Sequence, residues 1–213
     1  MQFKKRLGLA ISAAHIFLVG QVPIANSAQR AGVAGDQSAK SADRTPALKM
    51  HRLGAGEPGN DGWYEAKSTE GHFRVSMPFP FNDGTIQLPA DPTARSYLIN
   101  STSSEGYKFT VMEIETKKGK ANSPLKSLPD GIRAKGEAKL SGERYFQHQG
   151  HPAVEFQAVG PKQGIYTRVI NCSDRLFSLM VEYPAGSEAE VGPLVSGFFE
   201  SLRIDLKSGE KGK

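Results

Sequence analysis

One cysteine, Cys172, stands in 213 residues, so no disulfide can form within the chain, even in an oxidising compartment. Cys172 ends an apolar-rich segment, where a small buried thiol is the expected role. No apolar run reaches the roughly 20 residues of a bilayer-spanning helix. The run from Leu7 to Gly20 spans 14 and contains His15. No stretch concentrates Lys and Arg among aromatics, which argues against a nucleic-acid partner. The motifs G-x-S-x-G, H-E-x-x-H and G-x-x-x-x-G-K-S/T are missing, and with them positive evidence for a hydrolase elbow, a zinc protease or a P-loop. Asp83, Asp91, Glu105 and Asp130 lack the alternating spacing of a calcium loop and are expected as turn formers or caps. There is no internal repeat.

What is present begins with export. Lys4, Lys5 and Arg6 precede the apolar run, and Ala25, Ser27 and Ala28 follow it, which is the layout of a signal peptide over residues 1–28. Its removal lowers the formal charge from +5 to +2, and the tail from Lys207 to Lys213 carries that remainder. The expected location is periplasmic or secreted, with no stable membrane insertion after cleavage. Residues 29–62 are rich in Ala, Gly, Ser, Lys and Asp without a period, and are expected to form a flexible linker. Gly54, Gly56 and Gly59 fit G-x-G-x-x-G, but with neither a strand before nor a helix after, the match is read as accidental.

Residues 63–206 are expected to form one α+β domain, followed by a disordered basic tail over 207–213. Phe73, Val75 and Met77 alternate with Arg74 and Ser76 as in a half-buried opening strand. Asn82-Asp83-Gly84 reads as a turn, followed by a loop or short edge strand. A second strand is expected near Arg95 to Asn100. The third, Tyr107 to Glu115, is apolar on both faces and so central. A short or broken helix is expected around Leu125, Leu128 and Ile132, with Ser123 as N-cap. Four strands then form an antiparallel meander: Gly142 to Gln149, Pro152 to Val159, Ile165 to Cys172 and Arg175 to Tyr183. Val191, Leu194, Val195, Phe198, Phe199 and Leu202 give the last helix an apolar stripe. Its regular part is expected to start at Pro193, which avoids an interior proline.

Three segments resemble a known family: Glu70-Gly71-His72-Phe73-Arg74-Val75-Ser76-Met77-Pro78, then Gly150-His151-Pro152-Ala153-Val154-Glu155-Phe156, then Gly197-Phe198-Phe199-Glu200-Ser201-Leu202-Arg203. With the element order, and with Arg175-Leu176-Phe177-Ser178-Leu179, they are similar to the Mog1/PsbP-like family of exported bacterial proteins. The resemblance implies an antiparallel sheet of six to seven strands flanked by helices, an α/β/α sandwich. It also implies action through a surface rather than catalysis. No cofactor is expected.

Two sets of residues are candidate sites. Trp63 and Tyr64 at the domain entrance could contact a ligand or partner, such as a protein or other envelope component, or could pin the domain start to the sheet. His148 and His151 with Glu155, and Glu143 on the same hairpin, could bind zinc or copper weakly, since neutral imidazole is a good borderline ligand. The alternative at that hairpin is a loop-built hydrolase site with His148 or His151 as base. Solvated turn histidines are the plain reading.

Overall fold

The computed structural model describes residues 47–88, 91–115 and 124–206. The proposed signal peptide, most of the proposed linker, Ser123 and the basic tail lie outside the described residues. Those described fall within one compact unit.

Among the described residues, eleven strands and two helices follow in the order β1 (Ala47–Ala55), β2 (Tyr64–Lys67), β3 (Phe73–Met77), β4 (Phe81–Leu88), β5 (Asp91–Thr102), β6 (Lys108–Glu115), α1 (Pro124–Lys135), β7 (Lys139–His148), β8 (His151–Val159), β9 (Gln163–Cys172), β10 (Arg175–Pro184), α2 (Glu188–Ser201) and β11 (Arg203–Ile204). The architecture is α+β. An eight-stranded sheet has the order β1-β4-β5-β6-β10-β9-β8-β7, and a small sheet the order β11-β3-β2. Every pairing is antiparallel.

The meander β7–β10 forms as its periodicity and turns predict. Gln149 (φ 49°) and Gly150 (φ 80°) make the tight turn between β7 and β8, the positive-φ pair that suits the twist of a hairpin. The central placement of β6 also holds: it lies between β5 and β10.

One face of the large sheet carries Ile99, Val111, Phe177, Leu179 and Ile170, and these share a core with Phe73, Val75 and Met77 of β3 and with Val191, Val195, Phe198, Phe199 and Leu202 at the chain's end. Phe109 meets Phe198 edge-to-face at 5.3 Å between centroids, and Phe73 meets Phe177 at 6.0 Å, geometries that the ring quadrupole favours. The opening and closing segments therefore belong to one core. Moreover, β11 pairs directly with β3.

Four expectations are corrected. Residues 47–55 are strand β1 rather than linker. β1 escapes detection because its apolar residues Leu48 and Leu53 are exposed, while His51 and Arg52 turn to partners on the protein. Asn82-Asp83-Gly84 is not a turn but the middle of β4, where the fully buried Asp83 carboxylate accepts from Arg52 Nη2 at 2.9 Å and from the Thr69 amide at 3.0 Å. Strand β4 pairs on both sides, with β1 and β5, so the sheet has eight strands instead of six or seven. Finally, both helices run through their prolines. α1 is continuous past Pro129. α2 begins at Glu188, ahead of Pro193, because fully buried Val191 and a 2.8 Å hydrogen bond from the Tyr107 hydroxyl to Glu190 Oε2 hold its first turn.

Candidate functional site

In the small sheet Ala66, Phe73, Val75 and Met77 turn into the core, so the period of two sends Glu65, Arg74, Ser76 and Arg203 to the open face. The β1–β2 loop stands at the side of that face. It is braced by the Gly59 amide donating to the Trp63 carbonyl at 2.7 Å and by the Trp63 amide donating to Asp61 Oδ1 at 3.0 Å. Together they enclose an open cleft of about 550 Å³ lined by Glu57, Asp61, Trp63, Glu65, Arg74 and Arg203, with Ser76 and Ser201 at its floor.

Trp63 lies against α2 at Gly197, where an added Cβ would stand 3.0 Å from its Cζ2. The glycine of the Gly-Phe-Phe segment is thus the seat of the indole. Trp63 meets α2 and also packs against the core that the helix shares with the sheets. Tyr64 does not line the cleft. Its ring packs against the core, and its backbone bridges Pro58. The expected aromatic pair is therefore divided, with Trp63 alone facing the cleft.

Arg74 and Arg203 are direct partners across β3 and β11. Arg203 Nη1 donates to the carbonyls of Glu200 at 2.7 Å and Leu202 at 2.9 Å, at the C-terminal end of α2. Arg74 has Asp205 as an ionic neighbour at 3.9 Å, which is too long for a hydrogen bond. Ser201, in the Phe-Phe-x-Ser segment, ties helix to sheet: its Oγ accepts from the Ser76 amide at 2.9 Å and donates to the Phe198 carbonyl at 2.8 Å.

Behind the other end of the small sheet lies a polar anchor that the sequence reading did not anticipate. Glu113 is fully buried on β6. It accepts from the His72 amide at 2.6 Å, lies 3.0 Å from His72 Nδ1 and pairs with Arg175. This anchor draws the Glu70-Gly71-His72 loop onto the large sheet. Nearby, Thr85 Oγ1 donates to Glu70 Oε2 at 3.0 Å, and Lys49 reaches Glu70 at 3.2 Å. The available signal was Glu113 itself, a carboxylate following Tyr107, Phe109 and Val111 on one face.

The histidine hairpin serves a different purpose from the one expected. His148 is buried at 7% exposure, and its Nε2 lies 3.0 Å from Gln149 Nε2. Burial, reinforced by the Arg168 charge, pushes its pKa below the ordinary value, and because the Gln149 amide nitrogen can only donate, Nε2 is the acceptor of this contact. Gln149 donates to the Leu202 carbonyl at 2.6 Å and accepts from the Ile204 amide at 3.2 Å, clasping the segment that follows α2. Glu155 is engaged by Arg168 at 2.7 Å and Arg144 at 3.1 Å, and Glu143 by Arg133. Among the described residues no group of three His, Cys, Asp or Glu is placed to hold a metal ion. His148 and His151 are direct partners across the hairpin, but with Glu155, which Arg168 and Arg144 engage, they form no three-membered ligand set. Nor is His148 presented to solvent as a base. Cys172 is buried at 2% exposure, and burial pushes its thiol up to about 12.

No protein-family model matches the sequence, and no curated protein matches it. Among solved structures, the chain is similar to cyanobacterial PsbP (CyanoP) from Synechocystis sp. PCC 6803, with a TM-score of 0.39 and 11% identity over 70% of this chain and 96% of that one. It is also similar to LpqN, involved in cell envelope biogenesis of Mycobacterium tuberculosis, with a TM-score of 0.38 and 12% identity over 78% and 88%. A Bacteroides thetaiotaomicron protein gives a TM-score of 0.32 and 13% identity over 65% and 47%. No helix among the described residues is long and apolar enough to cross a membrane.

Proposed function

We propose that this chain is an exported, Mog1/PsbP-like accessory module that binds an envelope partner or ligand through the Trp63 cleft and acts by contact rather than catalysis. The observation that carries the proposal is the cleft's construction. Its volume of about 550 Å³ lies within the range of roughly 300 to 1,000 Å³ that ligand sites occupy. Moreover, its loop, strands and helix end are each fixed by the core or by hydrogen bonds, so the backbone frame of the cleft is in place before anything binds. Export rests on the signal-like N-terminus, and placement in the periplasm or outside the cell follows from it.

The test is quantitative binding of envelope extract to the immobilised full chain, set beside Glu65→Lys and Arg74→Glu variants. Both residues are exposed, so the variants should fold as the parent does. Saturable binding that either variant weakens at least tenfold supports the cleft. Saturable binding that both variants leave intact places the interaction elsewhere and overturns it.

A further inference from the structure

We infer that the cleft takes a dipolar ligand: a carboxylate held by Arg74 and Arg203 and an ammonium group facing Glu57 and Glu65, as a short peptide with one acidic and one basic side chain presents. This inference rests on the binding role proposed for the cleft. Two like charges directly opposite on neighbouring strands work against the pairing, and Arg74 and Arg203 are so placed on an open face. The protein does little to neutralise them. Arg203 gives one nitrogen to two uncharged carbonyls, and Asp205 stays 3.9 Å from Arg74. Two guanidinium forks therefore remain side by side with donors to spare, and that geometry suits a carboxylate.

The opposite charge is present and equally unspent. Glu57 and Glu65 line the same cleft and form no ion pair among the described residues. Glu65 is the partner of Ser76 and Arg74 the partner of Lys67, so Glu65 and Arg74 are diagonal neighbours, about 7–8 Å apart. Two to three extended residues span that separation at about 3.3 Å each.

Trp63 is the chain's single tryptophan, so its fluorescence reports this cleft alone. The full chain is titrated with the end-blocked tripeptide acetyl-Glu-Ala-Lys-amide and, in separate arms, with acetate, inorganic phosphate and acetyl-lysine-amide. The tripeptide is expected to give a saturable emission change and to bind at least tenfold more tightly than any single-charge probe. Arg74→Gln, Arg203→Gln and Glu65→Gln are each expected to weaken it tenfold or more, with thermal melts like the parent's. Phosphate binding as tightly as the tripeptide, or tripeptide binding indifferent to Arg74→Gln, overturns the dipolar assignment. If no probe moves Trp63 while an envelope fraction does, the dipolar ligand is wrong and the binding role stands. If neither moves it, both fall.

Discussion

At Gly71 an added Cβ would come within 2.8 Å of Ser68 Oγ and 2.9 Å of both Glu113 Oε2 and Tyr97 Cβ. The close approach, rather than the backbone angle, demands glycine there. Gly71→Ala is expected to cost about 1–3 kcal/mol through overpacking, read as a lowered urea midpoint; an unchanged midpoint would mean that the loop gives way freely. His148 supplies a pH signature. Its folded pKa lies below the ordinary 6.5, so the unfolded chain takes the proton first and the stability held above pH 6.5 is lost as pH falls toward the folded value. Arg168, Glu200 and Arg203 act on the same ring. His148→Gln should flatten that acidic slope in a series of pH-dependent melts, and an unaltered slope would assign it to other groups. At this scale the sequence was readable where a side chain packs, as at Cys172 and Phe198. It was opaque where a charge is buried, because Glu113, Arg168 and Asp83 owe their positions to partners that are remote along the chain.

Among the elements, β9 shows how one buried charge joins a helix to a sheet. Arg168, 1% exposed, donates to Glu155 Oε2 at 2.8 Å, to the Phe199 carbonyl at 2.9 Å and to Glu200 Oε1 at 2.7 Å, and it stacks on Phe146 and Phe199 at 5.1 and 4.9 Å. The guanidinium therefore complements the carbonyl end of α2. Arg168→Met keeps the stem but leaves the Phe199 carbonyl without its donor, while Glu155 keeps Arg144 and Glu200 faces solvent, and is expected to cost about 1–3 kcal/mol; a loss below about 0.5 kcal/mol in denaturant would show the contacts to be incidental. The meander and α2 were legible because each buries an apolar face with its own period. β1 and β4 were not, since their inward positions are polar and the Asn-Asp-Gly chemistry of a turn is overridden when Asp83 meets Arg52. Likewise, a proline interrupts a helix only if burial elsewhere is too weak to hold its first turn, and at α2 Val191 and the Tyr107–Glu190 bond supply that hold.

For the whole molecule, the first and last strands of the described residues belong to one structure: β1 completes the large sheet, and β11 completes the small sheet beside β3. Deleting residues 47–55 would leave the buried Asp83 without Arg52 and β4 without its edge partner. The truncated protein is expected to melt well below the parent, whereas a linker would be removed without effect; differential scanning calorimetry separates the two. The architecture could be anticipated from the opening and closing motifs because they are core and pairing segments. Beyond Trp63 the cleft could not, since it arises where the open face of β3 and β11 meets a loop 10 to 17 residues before β3, most of which reads as linker. The central claim is that this cleft is the contact surface. A photo-activatable residue placed at Pro58, which is exposed and lines the cleft, and separately at Ser141 on the far edge strand β7, tests it in cells that express the full chain. The account predicts a discrete cross-linked product from position 58, lost in the Arg74→Glu background, and none from 141; equal products from both positions, or a product from 141 alone, would contradict it.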